Sequence, residues 1–205
     1  SGVELEGVRR TEEAIAEVSD DAGNLRARTQ RWAIYSQDEW TVNPKWRAHA
    51  GIRYESILTE GITQEGEKRN QSGVLTPLMH AVWKPLPDSR DQVRMSLTRS
   101  YKTPTLLNLV ARTALSREAN SPTRPDRIGN PGLKPELATG IDIAVERYLS
   151  EGGVLSANLF RRNISDLIRY VTSERYDTVW APGQRRFVSS PQNVGDAITQ
   201  GLELE

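Results

Sequence analysis

Residues 129–148 read GNPGLKPELATGIDIAVERY. The first part is punctuation: two glycines, Asn130-Pro131, then Lys134-Pro135-Glu136. Proline fixes φ and pushes the residue before it into an extended conformation. Past Gly140 the pattern alternates. Ile141, Ile143 and Val145 fall on one face, Asp142 and Glu146 on the other. A rigid, turn-rich segment therefore feeds straight into a strand of period two.

The same period recurs along the chain. In WRAHAGIRYESI, Trp46, Ala48, Ala50, Ile52 and Tyr54 oppose Arg47, His49, Gly51, Arg53 and Glu55. Val93, Met95 and Leu97 oppose Arg94, Ser96 and Thr98, and Leu155, Ala157 and Leu159 oppose Ser156 and Asn158. Strands are expected at 2–11, 28–42, 45–59, 71–84, 91–103, 138–149, 152–172 and 185–205. Pro77 inside the fourth marks a bulge or a poorly paired position. Several of these runs exceed the usual strand of about 5–6 residues. Strands this long, apolar on one face and charged on the other, need a tall sheet whose polar face is also wet. The fold class that follows is all-β: an antiparallel up-and-down meander of about eight long strands, part of a large transmembrane β-barrel. Arg53, Arg94, Asp142, Glu146 and Glu203 should face a wet lumen. Ile52, Val93, Leu97, Ile143, Leu159 and Leu202 should face lipid.

The connections alternate in length. NPK (43–45), PLPDSRD (85–91) and SEGG (150–153) are short. EGITQEGEKRNQ (60–71), the stretch from Lys102 to Leu137 and the one at about 173–184 are longer. Short turns at one end and long loops at the other is the arrangement of outer-membrane barrels. Trp40, Trp46, Trp83 and Tyr148 cluster near the short turns, as an interfacial aromatic belt does. A soluble all-β binding module, a carbohydrate-binding sandwich or a propeller segment, is the competing reading. It requires shorter strands and no such belt.

Composition narrows the function. The 205 residues carry 27 Lys plus Arg against 27 Asp plus Glu, so no positive excess awaits a nucleic acid. No cysteine is present, which removes disulfides, thiolate metal sites and a Cys nucleophile. No apolar run is long enough for a transmembrane helix. The negative mean hydropathy does not exclude a barrel, whose strands are half polar. No Gly-x-Ser-x-Gly or His-Glu-x-x-His motif occurs. His49 and His80, the two imidazoles, have no neighbouring catalytic or metal motif. GITQEGE (61–67) has the glycines of a phosphate loop but not its Lys-Ser/Thr, so it reads as a loop tip. The sequons at 70–72 and 163–165 matter only in a secreted eukaryotic protein. No enzyme activity and no cofactor are expected.

Several segments in order resemble the barrel of TonB-dependent outer-membrane receptors: YSQDEWTVNPKWRAHAGIRYE (35–55), SYKTPTLLNL (100–109), GNPGLKPELATGIDIAVERY, GVLSANLFRRNISDLI (153–168) and QNVGDAITQGLELE (192–205). Asn130, Pro131, Leu133, Pro135 and Glu136 stand where that family carries its Asn-Pro-x-Leu-x-Pro-Glu element. The resemblance implies a bacterial outer-membrane location and lipid around the barrel. It also implies uptake of a scarce, large nutrient such as a ferric siderophore, energised by TonB through a plug domain. Residues 1–205 are then expected to be a partial barrel domain, without plug, signal peptide or terminal barrel strand.

Candidate ligand contacts lie on the long loops. Arg112, Arg117, Arg124 and Arg127 are one set, since arginine forks suit carboxylate, catecholate or phosphate oxygens. Tyr176, Trp180 and Arg185, with Arg186 beside them, are the other, since aromatic and arginine side chains dominate recognition surfaces. PTLLNLVARTALSREA (104–119) has helical apolar spacing and predicts a short helix packed over its loop.

Overall fold

The computed structural model of the protein describes residues 12–20, 23–63, 66–86, 89–110, 113–150 and 152–205. The expected strand at 2–11 lies outside them, as does Arg112. The strands are β1 (Glu12–Asp20), β2 (Gly23–Asn43), β3 (Trp46–Thr63), β4 (Gly66–Trp83), β5 (Gln92–Lys102), β6 (Asp126–Arg127), β7 (Glu136–Tyr148), β8 (Val154–Ser165), β9 (Ile168–Arg175), β10 (Arg186–Asn193) and β11 (Ala197–Leu204). One helical turn, α1, covers Leu106–Val110. Eight strands form an antiparallel sheet in the order β1-β2-β3-β4-β5-β7-β8-β11, and β6, β10 and β9 form a small second sheet.

Four expectations change. The loop expected at 60–71 is strand: β3 continues to Thr63 and β4 begins at Gly66, with Glu60 opposite Arg69 and Gly61 opposite Lys68. The polar alternation there belongs to a hairpin rising beyond the apolar part of the sheet. A strand also occupies 12–20, ahead of the expected one at 28–42. The expected helix at 104–119 is only the turn at 106–110, because Ala114 already bridges to Arg127. The long strands expected at 152–172 and 185–205 are each broken once. The breaks face each other. Asp166 takes the left-handed conformation (φ 57°) and Gly195 a positive φ of 137°. Leu167 N–H donates to Gly195 O (3.1 Å) and Val194 N–H to Leu167 O (2.8 Å). One long hairpin is thus bent at a corner, with β8–β11 in the main sheet below and β9–β10 above it.

Pro77 acts on pairing as expected. The β4–β5 ladder ends at Leu78–Thr98, although β4 continues back to Gly66 along β3. Proline has no N–H to donate, so the ladder stops beside it. β5 and β4 part above this point. The 103–135 connection folds inward onto the polar face of β2–β4. Its Leu109 and Leu133 join Ala27 in the buried apolar cluster, with Leu106 and Ile168 against it. The dry core therefore sits at the upper end of the sheet, under the long connection.

Candidate functional site

The sheet has two chemically opposite faces. Register places Arg53, Arg94, Asp142, Glu146 and Glu203 together on one, and Ile52, Val93, Leu97, Ile143, Leu159 and Leu202 on the other. The apolar face is open, not packed against a second layer: Ile52, Leu97, Ile143, Leu159 and Leu202 are all exposed. Asp38 and Arg161 also stand on this face. Each is bonded locally, Asp38 Oδ1 to the Glu39 N–H (2.9 Å) and Arg161 Nε–H to Asn163 Oδ1 (3.4 Å).

Aromatic rings border this face at two levels. At the lower end Trp46 and Trp83 stack with centroids 5.9 Å apart, and Trp40 is on the same face two strand positions from Val42. At the upper level Trp32 and Tyr54 meet at 5.4 Å. The upper pair escaped the sequence reading, although Tyr54 lies on the same period as Trp46. Trp32 to Trp40 spans nine residues, matching the roughly 9–11 residues of a strand that crosses a bilayer. Tyr148 does not join the belt. It stands on the polar face beside Glu146, to which its hydroxyl donates (3.2 Å). Sequence proximity to a short turn located it correctly along the strand but not by face.

The polar face carries crossed ion pairs. Glu55 is buried and accepts from Arg53 (3.2 Å) and from the Tyr101 hydroxyl, with Arg31 at 3.7 Å. Asp142 is held by Arg162 (3.1 Å) and Ser96 (3.3 Å), and Glu146 by Arg94 and Gln92 (2.7 Å). His49 and His80, which the sequence left apart, are direct cross-strand partners here. Their rings stack with centroids 6.0 Å apart and planes 15° from parallel.

Above the sheet, most of the candidate ligand residues are engaged with acidic side chains of the same region. Asp126 is fully buried. It accepts two bonds from Arg186 (2.8 and 2.7 Å), one from the Trp180 indole (3.0 Å) and one from the Ser116 N–H (2.8 Å). Burial pushes the Asp126 carboxyl up, but the Arg186 guanidinium, the Ser116 N–H and the Trp180 indole outweigh it and hold it below the usual carboxylate range. Trp180 and Arg186 thus tie the hairpin tip to the 113–128 stretch. Arg124 pairs with Glu118. Arg185 pairs with Glu174 (3.2 Å) and lies over Phe187, 5.0 Å from its ring centroid. Tyr176 donates to Glu174 (2.7 Å), which raises the phenol's pKa. Arg117 is exposed and makes contacts of its own. Arg127 has its backbone bonded to Ala114 while its side chain is exposed.

The Asn-Pro-x-Leu-x-Pro-Glu segment lies against β4 and β10 above the point where β4 and β5 part. Asn130 Oδ1 accepts the Gly132 N–H (2.9 Å), and its amide donates to Pro191 O (3.0 Å). Asn70 Nδ2 donates to both Pro131 O (2.6 Å) and Leu133 O (2.9 Å). Leu133 and Pro135 are buried. Asn193 clasps Lys134 from both sides, and Glu136 accepts the Ile168 N–H (2.8 Å). Asn130, Pro131, Leu133, Lys134 and Glu136 are thus each bonded to something distant in sequence.

The family model described as TonB dependent receptor-like, beta-barrel, matches residues 10–205. The chain belongs to the TonB-dependent receptor family. No curated protein matches it in sequence. Its fold is similar to that of a double mutant of the Serratia marcescens hemophore receptor HasR, in complex with its hemophore HasA and heme. There the TM-score is 0.65 at 12% identity, covering 95% of this chain and 38% of HasR. The siderophore receptor PirA of Pseudomonas aeruginosa gives 0.54 at 14% identity, with 88% and 39% covered. The ferric-catecholate import receptor Fiu of E. coli K12 gives 0.55 at 17% identity, with 88% and 26% covered. The chain thus spans about two fifths or less of these solved structures. TonB-dependent receptors are outer-membrane transporters rather than enzymes.

Proposed function

We propose that this chain is part of the barrel wall of an outer-membrane receptor that takes up a large, scarce, metal-bearing nutrient. A ferric siderophore is the substrate class we favour, with TonB supplying energy through a plug domain held against the polar face. The observation that carries this reading is the sheet itself, apolar and open on one face between two aromatic levels and charged on the other. Water on both sides would leave the apolar face unsatisfied, whereas lipid on one side accepts it. β1 and β11 do not pair with each other. In lipid those edges need partners, which further barrel strands supply.

Recognition on this chain is assigned to the platform formed by β6, β9, β10 and the 113–128 stretch. Arg117 and Arg127 present exposed charge there. Trp180 acts chiefly by holding its shape through Asp126, while Arg124 stands paired with Glu118 and Arg185 and Tyr176 with Glu174.

The test is radio-iron uptake by a Gram-negative host stripped of its own siderophore receptors and supplied with the whole receptor. Uptake from a ferric siderophore that disappears when TonB is deleted supports the reading. Normal membrane insertion without uptake from any catecholate, hydroxamate or haem source overturns it.

A further inference from the structure

We propose that His49 and His80 form a two-imidazole binding site for a divalent transition-metal ion, Cu(II) first among them, on the polar face of the sheet. The proposal goes beyond nutrient uptake and does not depend on the nutrient's identity. His49 and His80 are paired across β3 and β4, so their side chains leave the same face side by side. Their rings already stack at 6.0 Å. Two metal–nitrogen bonds of about 2.0–2.1 Å each span about 4 Å between ring nitrogens. Tipping the two rings toward a shared ion closes that distance without moving the backbone.

The surroundings favour a cation. Glu39 stands opposite His49 on β2, and Ser96 and Asp142, the latter paired with Arg162, continue the row beyond His80 on β5 and β7. The nearest cations on this face, Arg47 and Arg94, lie one row lower, and Arg94 is in an ion pair with Glu146. Among the described residues neither imidazole has a hydrogen bond or ion pair to the protein, so no protein contact is given up when a metal binds. His80 is exposed and His49 half-buried, which admits water.

The donor set also decides which metal. No group of three or more His, Cys, Asp or Glu side chains converges among the described residues. A closed, four-ligand structural zinc centre is therefore not what is built. Two imidazoles with open positions for water suit Cu(II), Ni(II) and Zn(II). On nitrogen donors Cu(II) binds tightest of the divalent first-row ions.

The experiment titrates the protein, purified from outer membranes in detergent, with Cu(II) alone and follows electron paramagnetic resonance. The expected result is one ion whose spectrum shows coupling to two nitrogens. His49→Gln or His80→Gln should each leave one coupled nitrogen at most and weaken binding at least about tenfold, since loss even of an outer-shell partner costs about 10–100-fold. A second measurement needs no variant. Diethyl pyrocarbonate modification, mapped by mass spectrometry, should slow together at His49 and His80 when Cu(II) is present. Unchanged spectra in both variants, or unchanged modification rates at both histidines, overturn the proposal.

Discussion

Asp126 is the carboxylate on which the upper platform depends, and replacing it tests how that platform is held. Asp126→Ala removes an acceptor of four hydrogen bonds and leaves the Arg186 charge without its partner. Breaking a buried ion pair by deleting one member costs about 3–5 kcal/mol. The Arg186 side chain is 22% exposed, so water recovers part of its solvation and the lower end applies, about 3 kcal/mol. The reverse deletion is worse. Arg186→Met leaves a carboxylate of 0% exposure with only the Trp180 indole and the Ser116 N–H, so its cost lies toward about 5 kcal/mol. The assay is amide hydrogen exchange in detergent. A loss of about 3 kcal/mol speeds local exchange roughly 150-fold, at about 1.4 kcal/mol per tenfold. The amides of Ser116, Ala114 and Arg127 should show it, while Ile57 and Thr59 in β3 keep their protection. Exchange at Ser116 changed less than threefold, or Asp126→Ala faster than Arg186→Met, would refute the reasoning.

Acid should loosen the same node. The folded Asp126 pKa is depressed, so its contribution is present in full above the unfolded carboxylate value of about 3.9. It is lost as pH falls from there through the lower folded value. Proteolysis of the 113–128 stretch should therefore be flat from pH 8 to about 5 and rise only below about 3.9; a rise near pH 6 assigns the change to another group. Asn70→Ala removes both donors to Pro131 O and Leu133 O and costs about 1–3 kcal/mol for the buried carbonyls left unmatched. Limited proteolysis should then cut between residues 130 and 135 at least several-fold faster than in the parent. Met79 lies midway between Leu75 and Trp83 on the apolar face, so Met79→Arg should cost about 2–4 kcal/mol in urea unfolding from phospholipid vesicles. Leu78→Arg, next along the chain but on the polar face, should cost less than half of that.

The sheet was legible because period two survives in every strand that crosses the apolar zone. One face of those strands is mostly apolar, with Asp38 and Arg161 as exceptions, and the alternation stays readable. The upper extensions were misread for the same reason in reverse. Residues 60–71 are nearly all polar or glycine, so no apolar alternation marks them as strand, and the pairing of β3 with β4 there is set by the neighbouring ladder. The corner at Asp166 and Gly195 was hidden because strand-forming residues stand on both sides of it, Ile164 and Ile168 on one strand and Val194 and Ile198 on the other. Only a non-glycine residue at positive φ and the two bonds between Leu167, Val194 and Gly195 reveal it. Tyr148 was assigned by distance from a turn, whereas its face depends on register with Val154. The meeting of His49 with His80 was unreadable without the β3–β4 register. A slip of one residue would send one imidazole to the opposite face.

The loop arginines show why composition alone overstates a binding surface. An exposed Arg–carboxylate pair contributes only about 0–1 kcal/mol to stability, so Arg124–Glu118 and Arg185–Glu174 do little to hold the fold. On the recognition surface proposed for this chain, their larger effect is on binding. Each guanidinium is already placed, which reduces the cost of about 0.5–1.5 kcal/mol for immobilising such a side chain on binding. Each is also neutralised, so a monovalent carboxylate arriving from solvent gains nothing over the one already present. Only a ligand offering several oxygens at once, in a geometry that engages Arg117 and Arg127 as well, displaces Glu118 and Glu174 at a net gain. Under the proposed function, the same pairing therefore filters against small anions and favours a large polydentate one.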